Sequence, residues 1–192
     1  MGLFRNIFIA GFLMAGAATA APAGPSFVVV PSSVQPPQGV ELGSFRRSIQ
    51  PFKNWTLICD EDLKKKQRIC NVRQEIAIEG AGTIFSWAMA ASDTGEPKML
   101  ATLPAAVGEG GEVVLTFDGD AKFSTTADCT QRTCSALIPV GPQIRRHITE
   151  KFEIRISFDA EPVGRIEFAA PMEGLGDALE AVGENIKQQG SR

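Results

Sequence analysis

Histidine is nearly absent from this chain: His147 is the only one in 192 residues. A single chain therefore has no multi-histidine metal site, and few ways remain to build a relay in which histidine activates a nucleophile. Positive charge is not in surplus either. With 19 Lys and Arg against 22 Asp and Glu the formal charge is −3, so the electrostatic footprint of a nucleic-acid binder is missing. The four cysteines include no C-x-x-C pair, the usual redox spacing. Gly108-Glu109-Gly110-Gly111 lacks the Lys-Ser/Thr of a phosphate loop and reads as a turn. Much of hydrolase, metal and redox chemistry is thereby set aside, and no cofactor is expected.

A composition of 44% hydrophobic and 21% charged residues is neither collagen-like, nor coiled coil, nor mostly disordered. One globular domain of this size buries well over half of its unfolded surface. Residues 1–20 carry a basic start at Arg5, an apolar run from Ile7 to Ala18, and the triplet Ala18-Thr19-Ala20. This pattern predicts a signal peptide cleaved after Ala20. The run is shorter than the ~20 residues that span a bilayer, and Pro22 and Pro25 follow at once, so a retained anchor is disfavoured. The expected product is a mildly acidic protein of the periplasm, outer-membrane associated or secreted, and not an integral membrane protein.

Residues 21–47 read as a Pro-rich tether, and no strand or helix period is sustained up to Pro51. The exception is Phe27-Val28-Val29-Val30, expected to dock on the domain as a short edge strand. The domain is expected over 48–183, with a polar tail at 184–192. Within it Phe152, Ile154, Ile156 and Phe158 alternate with Glu153, Arg155 and Ser157, which puts the apolar side chains on one sheet face. Cys70, Val72, Gln74, Ile76 and Ile78 repeat the pattern. Further strands are expected near Trp55 to Cys59, Ile84 to Ala90, Glu112 to Phe117, Ser135 to Val140 and Val163 to Ala169, divided by turns such as Asp93-Thr94-Gly95. Seven or more short strands predict an all-β sandwich or barrel. Pro142 to Lys151 reads as a helical turn, and Leu175, Leu179, Val182 and Ile186 form the stripe of a C-terminal amphipathic helix that packs on the sandwich.

In an oxidising compartment four cysteines most simply make two disulfides. Three pairings exist. The sequential one needs only a hairpin that faces Cys59 with Cys70 and a tight loop closed by Cys129 and Cys134. Zinc is the competing reading, but the Cys59 to Cys70 gap does not match a close ligand pair. Trp55 and Trp87, beside Leu57, Ile58 and Phe85, are expected in the core instead of in a stacking site.

The run Phe52-Lys53-Asn54-Trp55, then Cys59, then Gln67-Arg68-Ile69-Cys70-Asn71-Val72-Arg73-Gln74, carries a resemblance. It continues through Leu100 to Pro104, Phe117-Asp118-Gly119, the Cys129/Cys134 pair and Phe168 to Leu179. From about Ser48 to Val182 the chain resembles the invasion-associated locus B family of exported bacterial proteins. The resemblance implies an immunoglobulin-like β-sandwich with two disulfides, at the periplasm or cell surface, named for a role in host-cell invasion. The chain departs from the family's Gly-Asp-Trp opening at Lys53-Asn54-Trp55, and from its Pro-Leu-Gly-Val at Pro104-Ala105-Ala106-Val107.

Two basic clusters are candidate contact surfaces: Lys64, Lys65 and Lys66 after Asp60-Glu61-Asp62, and Arg145 with Arg146 before His147. The expected function is non-enzymatic binding of a protein or envelope component, in host-cell interaction or envelope integrity. A small-ligand or lipid carrier is the alternative and needs a hollow interior. An enzyme would need carboxylates such as Asp118, Asp120, Glu153 or Glu167 to converge in a pocket.

Overall fold

The computed structural model describes residues 24–31, 43–91 and 97–190. The expected signal peptide, most of the expected tether and the Asp93-Thr94-Gly95 turn lie outside the described residues. The strands are β1 (Phe27–Val30), β2 (Phe45–Phe52), β3 (Trp55–Asp62), β4 (Gln67–Ile78), β5 (Gly82–Ala91), β6 (Pro97–Pro104), β7 (Glu112–Thr116), β8 (Lys122–Thr126), β9 (Asp128–Cys129), β10 (Thr133–Pro139), β11 (Glu153–Ala160) and β12 (Gly164–Pro171). Two helices join them, α1 (Pro142–Glu150) and α2 (Leu175–Gly190).

These strands form two antiparallel sheets. The larger runs β2-β3-β4-β5-β6-β10-β9, with β1 added beside β4, and the smaller runs β12-β11-β7-β8. Both expose one face and bury the other, as period-two alternation requires. On β11, Ile154, Ile156 and Phe158 are fully buried against the other sheet. Between the layers Trp55, Phe85, Trp87, Met99, Leu115, Phe158 and Phe168 pack into one continuous core. The rings of Phe85, Phe158 and Phe168 meet at centroid distances of 5.3 to 6.2 Å. The fold is thus a β-sandwich, one of the two architectures the alternation allowed and the one the resemblance implied, with a helix at its C-terminal end.

Four local features depart from the sequence reading. A strand occupies Phe45–Phe52, where none was expected, because as an edge strand it needs a partner on one side only and tolerates Pro51. Its charged Arg46 and Arg47 are matched across the pair by Glu61 and Asp60, which masks the apolar alternation. Phe152 does not join the buried row. Lys151 takes a left-handed conformation (φ 60°) that ends α1, the strand starts only at Glu153, and Phe152 stays 45% exposed. Ser157, expected on the wet face, is buried and accepts a 2.7 Å hydrogen bond from Arg165. Finally, α2 continues to Gly190, beyond the expected start of a polar tail at 184.

Helix α2 begins with Leu175 and Ala178 fully buried and Leu179 and Val182 packed on the core. Its approach is close: a Cβ on Gly174 (φ 96°) would fall 2.0 Å from the carbonyl oxygen of Phe52, so only glycine fits there.

Candidate functional site

Strand β4 has 12 residues and carries the most distinctive motif of the chain. Its even-numbered residues face the core, so Cys70, Val72, Gln74 and Ile76 lie in one row. Gln74 is 1% exposed, a depth at which an amide must find partners. Its oxygen accepts from Trp87 Nε1 at 2.9 Å, and its Nε2 donates to the carbonyl of Pro171 at 2.9 Å. Trp55 Nε1 donates to that same Pro171 carbonyl at 3.1 Å. The two indoles, expected in the core, stack at 5.6 Å. One glutamine thus ties β4 and β5 of the large sheet to the end of β12 in the small one, just before α2. This hub escaped the sequence reading, in which Gln74 was a member of an alternating row and of the motif that carries the resemblance, with no partner assigned.

Toward its other end the β3–β4 hairpin leaves the core. Trp55, Leu57, Ile58 and Cys59 are buried, Asp60 to Asp62 half-buried, and residues 63–67 exposed. Cys59 and Cys70 face each other directly across this hairpin, with Cα atoms 4.0 Å apart, and are joined as a disulfide at the border of the core. Cys129 and Cys134 are likewise joined across β9 and β10. There the Gly108 to Gly111 turn contributes: Glu109 accepts a 2.7 Å hydrogen bond from the Cys129 amide. Among the described residues no cysteine is free.

Lys64, Lys65 and Lys66 form the exposed turn that closes the β3–β4 hairpin. Asp62 shapes it by accepting 2.9 Å hydrogen bonds from the amides of both Lys64 and Lys65. The Lys65 amide is the main reason the Asp62 carboxyl titrates below its ordinary range, with the Lys64 amide and both ammonium groups adding to it. Nearby, Arg47 grips Asp60 through two bonds of 2.6 and 2.7 Å, which raise the guanidinium further above its ordinary value.

The structure does not gather the two basic clusters into one patch. The lysine turn closes the end of β3 remote from Trp55, roughly 20 Å along an eight-residue strand. Arg145 and Arg146 are exposed on α1, which packs on α2, and α2 starts near the Trp55 end. Arg145 donates to the carbonyl of Val140, and Arg146 pairs with Glu150.

Of the carboxylates that catalysis would need, Asp118, Asp120 and Glu153 do line one depression of about 550 Å³ with Phe117, Phe152 and Arg155. All three are exposed, and Asp120 pairs with Arg155 at 3.4 Å. Glu167 lies elsewhere, exposed on β12. Beneath the depression His147 is wholly buried. Its Nε2 accepts from the Asp118 amide at 3.2 Å, so Nδ1 carries the proton and donates to the Gln143 carbonyl at 2.9 Å. With Phe117 and Phe152 in edge-to-face contact at 5.2 and 5.9 Å, the ring pins α1 to the turn after β7 and serves as structure. Among the described residues no group of three or more His, Cys, Asp or Glu converges as a metal site, and no helix is long and apolar enough to cross a membrane.

Fold and side chains together define a class: an antiparallel β-sandwich closed by a polar hub and stapled by two cross-strand disulfides. The family model for the Invasion associated locus B (IalB) protein matches residues 55–183, and the chain belongs to that family. The crystal structure of invasion associated protein B from Bartonella henselae is similar in fold, with a TM-score of 0.57 at 14% identity over 73% of this chain and 99% of that one. No curated protein sequence matches this chain. Trp55 and Gln74 tie the two sheets through the Pro171 carbonyl, and Cys59 and Cys70 staple one hairpin.

Proposed function

We propose that this chain is an exported, non-enzymatic binding domain that engages a protein or envelope component through its surface, at the periplasm or the cell exterior. The observation that carries the reading is where the polar signature residues are spent. Gln74 and both tryptophan Nε1 groups are consumed in holding the two sheets together, and the disulfides staple hairpins. What is left for recognition is the outside, above all the charged turn at Lys64 to Lys66. A carrier is disfavoured because the space between the sheets is filled by aromatic and branched side chains. An export route fits two disulfides placed at the edges of the core, since such pairs persist in oxidising compartments.

Retention of the purified protein on isolated envelope membranes tests this. Two charge-reversed variants are compared with the native chain, one with Lys64, Lys65 and Lys66 changed to Glu and one with Arg145 and Arg146 changed to Glu. The reading expects retention at low salt that weakens as salt rises, and a loss of several-fold on reversal of the lysine turn. No retention at any salt, or retention indifferent to both variants, would overturn it.

A further inference from the structure

Strand β1 lies off the main path of the large sheet. It makes one pairing, Phe27 to Val30 against Ile78 to Glu75 of β4, on the same edge of β4 that β3 occupies farther along. Its other edge pairs with no strand among the described residues. The segment lies outside residues 55–183, the span that the family model matches. Pro25 and Pro31 bracket the strand. The next described strand begins at Phe45, and among the described strands β1 pairs with β4 alone, so it can leave without displacing any other described element.

The place it fills is chemically specific. Phe27 and Val29 point inward, and Phe27 reaches the Phe168 ring at 5.7 Å, an aromatic floor shared with Phe85 and Phe158. Val28 and Val30 stand outward beside Ala77 and the buried Glu75. Glu75 is already held by Arg73 at 3.2 Å, so a second carboxylate there would meet repulsion without a spare cation. The fit is also incomplete. A groove of about 350 Å³ remains alongside, lined by Phe27, Val28, Val29, Ile76, Glu153, Ala169 and Pro171.

We propose that the β4 edge at Glu75 to Ile78 is a strand-acceptor site, with β1 as its resident plug and an extended segment of a partner protein as the exchanging ligand. The ligand is defined by the plug: uncharged over four residues, aromatic at the first inward position and β-branched at the second. Backbone pairing supplies affinity that is tolerant of sequence, and the Phe168 floor supplies selectivity. The site is separate from the basic surfaces, so it stands or falls independently of envelope retention.

The probe is a fluorescent peptide of residues 24–31, titrated by anisotropy against the full exported chain and against its Phe27→Asp variant, whose own plug is weakened. The proposal expects the variant to bind the peptide at least tenfold more tightly than the native chain does, and expects a peptide carrying Phe27→Asp to bind neither. A variant that keeps the near-ultraviolet signal of the stacked tryptophans yet binds no better than the native chain would overturn it. Should that variant not fold, hydrogen exchange on the native chain decides. The amides of Phe27 to Val30 are expected to exchange at least a hundredfold faster than those of Ile154 to Phe158, and equal rates would refute a releasable plug. A concentration-dependent dimer dissolved by excess peptide would assign the occupant to a second copy and overturn the partner assignment.

Discussion

The two ends of the β3–β4 hairpin are built from the same two strands and follow opposite rules. At the Trp55 and Gln74 end the strands lie under the opposing sheet, and stability comes from burial and from the hydrogen bonds that Gln74 and the two indoles make there. At the Lys64 to Lys66 end the strands have left the core, and order depends on Arg47 with Asp60, on the turn shaped by Asp62, and on one disulfide at the boundary. The comparison shows where a covalent link matters in a sandwich of this size. It sits where apolar burial stops, and it keeps a charged, solvent-filled tip in register.

The contrast breaks most sharply at the core end. Trp87→Ala removes the indole stacked on Trp55 and leaves the Gln74 oxygen without its donor, so a loss of about 3–5 kcal/mol is expected in urea unfolding. Changing Cys59 and Cys70 together to Ala opens a link of sequence separation 11 and is expected to cost about 3 kcal/mol in the chain-entropy model, against about 2 for the Cys129/Cys134 pair of separation 5. The near-ultraviolet signal of the tryptophans should survive the cysteine change and vanish with Trp87→Ala.

A smaller effect of opposite sign is expected at the β2–β3 turn. Lys53 stands there in a left-handed conformation (φ 53°), which glycine adopts without a Cβ penalty. Lys53→Gly is expected to relieve that strain and to stabilise by up to about 1 kcal/mol, read in the same urea experiment.

The smallest effect belongs to the tip. Asp62 titrates below its ordinary value because the folded turn donates amides to its carboxylate. Its stabilising contribution is therefore fully present above the unfolded carboxyl range, near pH 3.9, and is lost as pH falls through the lower folded value. Amide exchange at Lys64 and Lys65 should accelerate over that acidic window while the core amides of β11 do not.

Much of the core end was legible in sequence, because period-two alternation at Cys70 to Ile78 and Ile154 to Phe158 encodes a buried face directly. The core positions of Trp55 and Trp87 and the C-terminal helix followed from the same kind of pattern. Gln74 was not legible as a hub, since its partners are a tryptophan 13 residues away and a carbonyl 97 residues away. Strand β2 was hidden because its register is set by cross-strand charge pairs, and Phe152 was misplaced because a helix cap, invisible to periodicity, delays the strand by one residue. The candidate contact residues were legible as charge runs. Their separation on the molecule was not, because it depends on which end of the sandwich each turn occupies.

The central claim is that the β4 signature holds the fold while the surface does the binding. Envelope retention of the Gln74→Leu protein, measured where near-ultraviolet dichroism shows it folded, tests that most directly. The account predicts retention equal to the native chain's despite a lowered unfolding free energy. Loss of retention in a protein that remains folded and as stable as the native chain would contradict it and place Gln74 in the binding site.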